Sequence, residues 1–173
     1  MNKDIRNAAS PDNLAVETII ETYWTRICRS LYSLVGDWDE AEDLALETFI
    51  RWHQQPPEDR QNPGGWLYRV AAHLGLNALR ARQRRQRYET LAEPPVAEIN
   101  PADAVEKAQE ADHVRRVLAA MKPRSAQLLL LRHSGLSYTE IAAELALAPA
   151  SVGSLLARAT QEFEELYRKL EGD

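Results

Sequence analysis

"GLSYTEIAAELALAPASVGSLLARA", residues 135–159, holds two helix beginnings separated by one short turn. Ser137, followed three residues later by Glu140, makes an S-x-x-E capping box, in which the hydroxyl takes the N3 amide and the glutamate reaches back to the N-cap amide. This box opens a short helix expected to end near Leu145. Pro149 then stands at the favoured first position of another helix, where its missing N–H is not needed. Val152, Leu155/Leu156, Ala159, Phe163, Leu166/Tyr167 and Leu170 give that helix an apolar stripe at spacings of three and four. Two helices across a brief turn read as a helix-turn-helix, whose second helix enters the major groove of DNA in many regulators.

Upstream, the same helical period recurs. Val16, Ile20, Tyr23/Trp24, Ile27, Leu31 and Leu34 fit an amphipathic helix that Gly36 stops. Asp37 and Glu40 resemble a second capping box, and Ala41, Leu44, Ala45, Thr48, Phe49 and Trp52 continue the period until Pro56-Pro57. A loop with Pro63-Gly64-Gly65 leads into Trp66, Leu67, Val70, Ala71, Leu74 and Ala78. Residues 89–101, ETLAEPPVAEINP, lose periodicity and hold three prolines, the composition of a flexible linker. Beyond it, Val105 to Met121 and Ser125 to His133 suggest two more helices, and no strand pattern stands out. The expectation is an all-α fold of two small helical domains, residues 10–88 and 104–173, joined by a linker at 89–103.

Charge divides the chain differently. The net charge is -5 over 173 residues, yet residues 60–89 carry seven basic side chains against one acid, while residues 1–59 carry five against twelve. Arg80, Arg82, Arg84, Arg85 and Arg87 concentrate this positive charge at the end of the third helical pattern. Such a cluster suits a polyanion, although a solvated helix face has the same composition. The acidic first segment suits a basic protein partner.

Several function classes are disfavoured. The four histidines are spread along helical segments without metal-ligand spacing, no phosphate-binding glycine loop occurs, and neither a metal, a cofactor nor an enzymatic activity is expected. Cys28, the single cysteine, falls on an apolar helix face and reads as a core thiol. No apolar run reaches the roughly 20 residues of a membrane span, and the N-terminus lacks a signal peptide's apolar core, so no membrane insertion and a cytoplasmic protein are expected.

The order GDWDEAEDLALETFIRW (36–52), WLYRVAAHLGLNALRARQRR (66–85) and the helix-turn-helix resembles the extracytoplasmic-function group of the sigma-seventy class of bacterial RNA polymerase sigma factors, from about Ile19 to Leu166. The resemblance implies a sigma domain two, a linker and a sigma domain four. It implies a transcription initiation factor without catalytic residues, whose partners are core RNA polymerase and promoter DNA, with an anti-sigma factor as a further one. The acidic helix would dock on the clamp helices of the largest polymerase subunit through Asp43, Leu46 and Glu47, with Trp52 and Phe49 available as anchors. Leu46 departs from the family's usual glutamine. Domain four would also meet the flap of the second-largest subunit.

The minus-ten reader would comprise His73, Asn77, Arg80, Arg82, Arg84, Arg85 and Arg87, because arginine binds phosphate bidentately and stacks on separated bases. His73 stands where the family commonly has asparagine and could equally be a packing residue. The minus-thirty-five reader would comprise Ser137, Tyr138, Thr139, Ser151, Ser154 and Arg158. Gly153 and Leu155 replace the two basic residues usual there, and Ala146 replaces a glycine usual in the turn. Each bidentate base contact discriminates by roughly 1–3 kcal/mol, so weak upstream readout is expected. Gly153 suggests a close backbone approach to a neighbour. Two other readings stay open: a sigma-like adaptor that binds polymerase without reading promoters, and a helix-turn-helix regulator of another class.

Overall fold

The computed structural model describes residues 11–57, 62–89 and 102–171. They form α1 (Pro11–Val35), α2 (Trp38–Gln54), α3 (Pro63–Glu89), α4 (Ala102–Ala120), α5 (Pro123–His133), α6 (Tyr138–Glu144) and α7 (Pro149–Glu171), with no strand among the described residues. No single helix there is long and apolar enough to cross a membrane. Most of the proposed linker, residues 90–101, lies outside the described residues.

Local chemistry explains the boundaries. Asp37 accepts the Glu40 N–H at 2.8 Å and starts α2. Both halves of the Ser137/Glu140 box are made at the start of α6. At the end of α5, Gly135 has φ +92 and the Leu136 N–H bonds back to the Leu131 carbonyl, the pattern of a Schellman cap. The end of α6 repeats it without glycine: Ala146 has φ +49, its N–H donates to Ala143 O, and the Leu147 N–H donates to Ala142 O at 2.8 Å. The left-handed turn is therefore kept although alanine resists it by roughly 1 kcal/mol.

Three apolar clusters hold the helices. In the first, Ile27, Cys28, Leu31 and Val35 of α1 meet Ala41, Ala45, Phe49 and Trp52 of α2 and Leu67 and Ala71 of α3. Burial, and secondarily Glu42, pushes the Cys28 thiol above its ordinary value. The third cluster joins Leu128 and Leu131 of α5 to Ile141, Ala142, Val152 and Leu156, and so fixes α6 against α7 at 93°. That angle is the helix-turn-helix crossing. The second cluster was not anticipated from the sequence. Leu34, Leu76 and Leu79 from the first helical unit pack with Val117, Leu118, Met121, Ala126 and Ala159 from the second, so the two units share a core.

Candidate nucleic-acid interface

On α2 the outer face carries exposed Asp43, with Leu46 at 51 % and Ile50 at 39 % exposure. Glu47 is held by Arg51 one turn on, at 2.7 Å. Trp52 corrects the expectation of an interface anchor: it is 3 % exposed and lies edge-on to Trp66, with ring centroids 5.3 Å apart. Phe49 is likewise buried, against Trp24. The apolar ridge available to a partner is Leu46 with Ile50, four residues apart. Leu46 is already among the docking residues expected from the sequence; Ile50, exposed one turn on, is the residue that expectation lacks, and its spacing from Leu46 is the signal for it.

On α3, His73 is exposed and its Nε2 lies 3.1 Å from Asn77 Nδ2, so both occupy the solvent face rather than the core. The five arginines divide. Arg80 donates from Nε to Ala119 O and from Nη2 to Met121 O, both at 3.3 Å, and Arg82 donates to Val35 O at 2.9 Å. Each places a cation at a helix C-terminus, where carbonyls lack partners and the dipole is negative. Burial, then Arg84, lowers the Arg80 pKa. Arg84, Arg85 and Arg87 are exposed and make no hydrogen bond or ion pair among the described residues. Tyr88, 76 % exposed, stands beside them, an aromatic neighbour that the arginine count alone overlooked.

On the helix-turn-helix, Tyr138, Thr139, Ser154 and Arg158 are exposed, and Ser151 is half-buried. Ser137 is occupied by its cap, and the Ser154 hydroxyl donates to Ser151 O at 2.9 Å. A Cβ at Gly153 would meet only the Tyr138 ring, at 3.6 Å, an ordinary contact, so no part of the chain approaches the glycine closely. Leu155 packs against the third cluster. Arg132 lies over the Tyr138 ring, 5.5 Å from its centroid, and donates to Leu136 O. The outer face of α7 thus offers Ala150, Gly153, Ser154 and Ala157, none long enough for bidentate base contact, with Arg158 at its edge.

Between the units, an open cleft of about 750 Å³ is lined by Arg51, Arg69, His73, Arg124 and Glu144, among others. Among the described residues no group of histidines, cysteines and acids is placed to hold a metal ion.

Family models for sigma-70 region 2 and sigma-70 region 4 match residues 19–85 and 112–162. The ECF RNA polymerase sigma factor SigE of Mycolicibacterium smegmatis is 30% identical over 161 residues, covering 88% of this chain and 62% of that protein. SigJ of Mycobacterium tuberculosis is 29% identical, and the match covers 82% of this chain but 48% of the relative. The chain thus spans about half to three-fifths of the length of these relatives. SigW of Bacillus subtilis is 24% identical with 98% of each chain covered. Two solved structures share the fold. They are RpoE of Bartonella quintana in complex with the anti-sigma factor NepR (TM-score 0.55, 21% identity, 89% of this chain and 97% of that one) and CnrH in complex with the cytosolic domain of CnrY (TM-score 0.58, 19% identity, 90% and 89%). With both sigma regions present in order on an all-helical frame, the chain belongs to the sigma-70 family of bacterial RNA polymerase sigma factors, in its extracytoplasmic-function group.

Proposed function

We propose that the protein is a transcription initiation factor that binds core RNA polymerase, directs it to specific promoters and helps open the minus-ten element, without catalysing a reaction itself. The observation that carries this reading is the order of two surfaces on one chain: the exposed arginine end of α3 in sigma region 2, and an exposed helix-turn-helix in sigma region 4. The acidic face of α2, with Asp43 and Glu47 around the Leu46–Ile50 ridge, docks on basic helices of the polymerase clamp; desolvated apolar area supplies affinity and charge supplies orientation. Arg84, Arg85 and Arg87 hold the backbone of the separated strand, while His73, Asn77 and Tyr88 face its bases. The short side chains of α7 make upstream readout the weaker of the two, so promoter choice rests on the minus-ten face.

An anti-sigma partner is part of the proposal, since one solved neighbour, RpoE of Bartonella quintana, is a sigma factor captured with an anti-sigma factor. An apolar groove of about 370 Å³ lined by Leu34, Val114, Leu118, Leu129, Leu130 and Phe163 suits an amphipathic helix. The place of action is the cytoplasm, where polymerase works. Binding to core polymerase measured by fluorescence anisotropy tests the reading, with Leu46→Asp expected to weaken it about tenfold or more without unfolding the chain. Unchanged affinity of that variant would remove α2 as the docking face.

A further inference from the structure

We infer that the chain carries an oxyanion site apart from its DNA surfaces: a recess where Arg82, Arg115 and Arg116 converge takes the terminal phosphate of a small phosphorylated ligand. The inference stands on geometry and charge and does not depend on the function proposed above.

Two helical stripes build the recess. Leu79, Arg82, Gln83 and Gln86 repeat at spacings of three and four on α3, and Asp112, Arg115 and Arg116 do so on α4, so each set lies on one helix face. The two faces meet over Val35 and Gly36 at the end of α1 and enclose about 70 Å³, room for a few waters or for one tetrahedral oxyanion. Arg84, Arg85 and Arg87 do not line it.

The end of α1 aims two of the guanidinium groups. Arg82 Nη1 donates to Val35 O at 2.9 Å, and Arg115 Nε donates to Ser33 O at 3.2 Å. Carbonyls in a last helical turn lack helical partners and carry the negative end of the dipole, so they offset the repulsion between the two cations. Gly36, at φ +76, lets Arg115 lie against the backbone, because a Cβ there would stand 2.7 Å from Arg115 Cζ. A guanidinium has five N–H donors, and these bonds use one on each arginine.

Arg116 is held more loosely. Its Nε lies 3.6 Å from Asp112 Oδ2, and the two side chains are 52% and 67% exposed. Water screens such a pair, so an incoming anion displaces the carboxylate readily. Among the described residues Asp112 is the one acid in the lining, against three arginines. That balance of three cations less one carboxylate suits a phosphate monoester, which carries close to two negative charges at neutral pH. The forked N–H groups suit its oxygens. With α3, α4 and the end of α1 on its sides, the recess admits a group that ends in phosphate, whereas a phosphate within a nucleic-acid strand has to continue past it in both directions.

Isothermal titration calorimetry of the full chain with sodium pyrophosphate at low salt tests the site, with one equivalent bound as the expected result. Gln83→Glu sets a carboxylate among the three guanidinium groups and should weaken pyrophosphate binding about tenfold or more while keeping or raising the unfolding temperature. Arg115→Gln/Arg116→Gln should lose as much. Arg26→Gln/Arg29→Gln removes the same charge from the exposed face of α1 and should change the affinity by less than about twofold. Should the Arg115/Arg116 variant fail to fold by circular dichroism, Gln83→Glu carries the test. Thymidine 5′-monophosphate should bind, and thymidylyl-thymidine, whose one phosphate is internal, should not. No saturable heat up to about 10 mM pyrophosphate, an affinity untouched by Gln83→Glu, or an equal loss in the Arg26/Arg29 variant would each overturn the site. Equal binding of the two thymidine compounds would give the recess to the nucleic-acid backbone and overturn the terminal-phosphate assignment.

Discussion

Arg80 grips Met121: its Nη2 donates to the Met121 carbonyl at 3.3 Å while its Nε reaches Ala119 O, tying the arginine-rich end of α3 to the end of α4. A basic cluster that reads as one surface in the sequence is therefore two. Arg80 and Arg82 cap helix ends, and Arg84, Arg85 and Arg87 face solvent.

That division is measurable. Arg80→Ala should lower unfolding stability by about 1 kcal/mol, the worth of charge-assisted bonds at a part-exposed site. Arg84→Ala, Arg85→Ala and Arg87→Ala should leave stability within about 0.5 kcal/mol but each reduce the slope of log K against log salt for single-stranded DNA by about 0.7. Urea melts and salt titrations separate the two groups; a uniform response across the cluster would contradict it.

Trp52→Ala should destabilise the first helical unit by about 3–5 kcal/mol, because it empties a seat beside Trp66 and Phe49. An exposed interface anchor would instead lose polymerase affinity at constant stability. Thermal unfolding read beside a polymerase-binding assay distinguishes these outcomes.

Ala146→Gly should stabilise the protein by about 0.5–1 kcal/mol, since φ +49 strains alanine and the gain exceeds the added entropy of the unfolded glycine. Differential scanning calorimetry would show the higher transition temperature. A loss of stability would mean that the turn relaxes out of the left-handed region.

Glu140 predicts an acid-sensitive joint. Bonds from the Ser137 N–H and hydroxyl, with a further one from Asn62, outweigh burial and hold its carboxyl below the ordinary 4.5. A depressed carboxylate stabilises the fold fully above its unfolded value, and that contribution disappears as pH falls through its folded value. Glu140→Gln should thus be less stable than the parent near neutrality and approach it in stability in acid, as pH falls below the ordinary carboxylate range and through the depressed folded value. Denaturant melts at the two pH values would show this convergence.

Gly153→Ala should gain up to about 1 kcal/mol of stability, because the added methyl meets only the Tyr138 ring at 3.6 Å. If the backbone at 153 closely approaches DNA, the stabilised variant will nevertheless lose promoter activity. Full activity would remove that explanation for the glycine.

Most helix boundaries were readable because they rest on local rules: a serine and glutamate three apart, a proline at the first position, a glycine after the last turn. Periodicity together with these local signals marks the seven helices of the described residues, and the burial of Cys28 and Phe49 and half-burial of Leu44 on the inward stripes follow from it. What periodicity cannot carry is the choice between a neighbour within the chain and one outside it. Trp52 had the right period for the core and the right chemistry for an interface, and only the position of Trp66 decides. Arg80 and Arg82 look like their unbonded neighbours, because nothing in a run of arginines reveals that two of them end at carbonyls some forty residues away in sequence. The bonds from Asn62 to Glu140 and from Arg69 to Glu144 span more than seventy residues, and no local pattern announces them.

The central claim is promoter-directed initiation, and its most direct test is mapping of transcript starts on fragmented genomic DNA with core RNA polymerase and the purified protein. The account predicts discrete starts that share an upstream element and vanish with the combined Arg84→Ala, Arg85→Ala and Arg87→Ala variant, while binding to core polymerase persists. Tight binding to core polymerase with no specific starts from the unaltered protein would contradict it and leave a polymerase-binding adaptor.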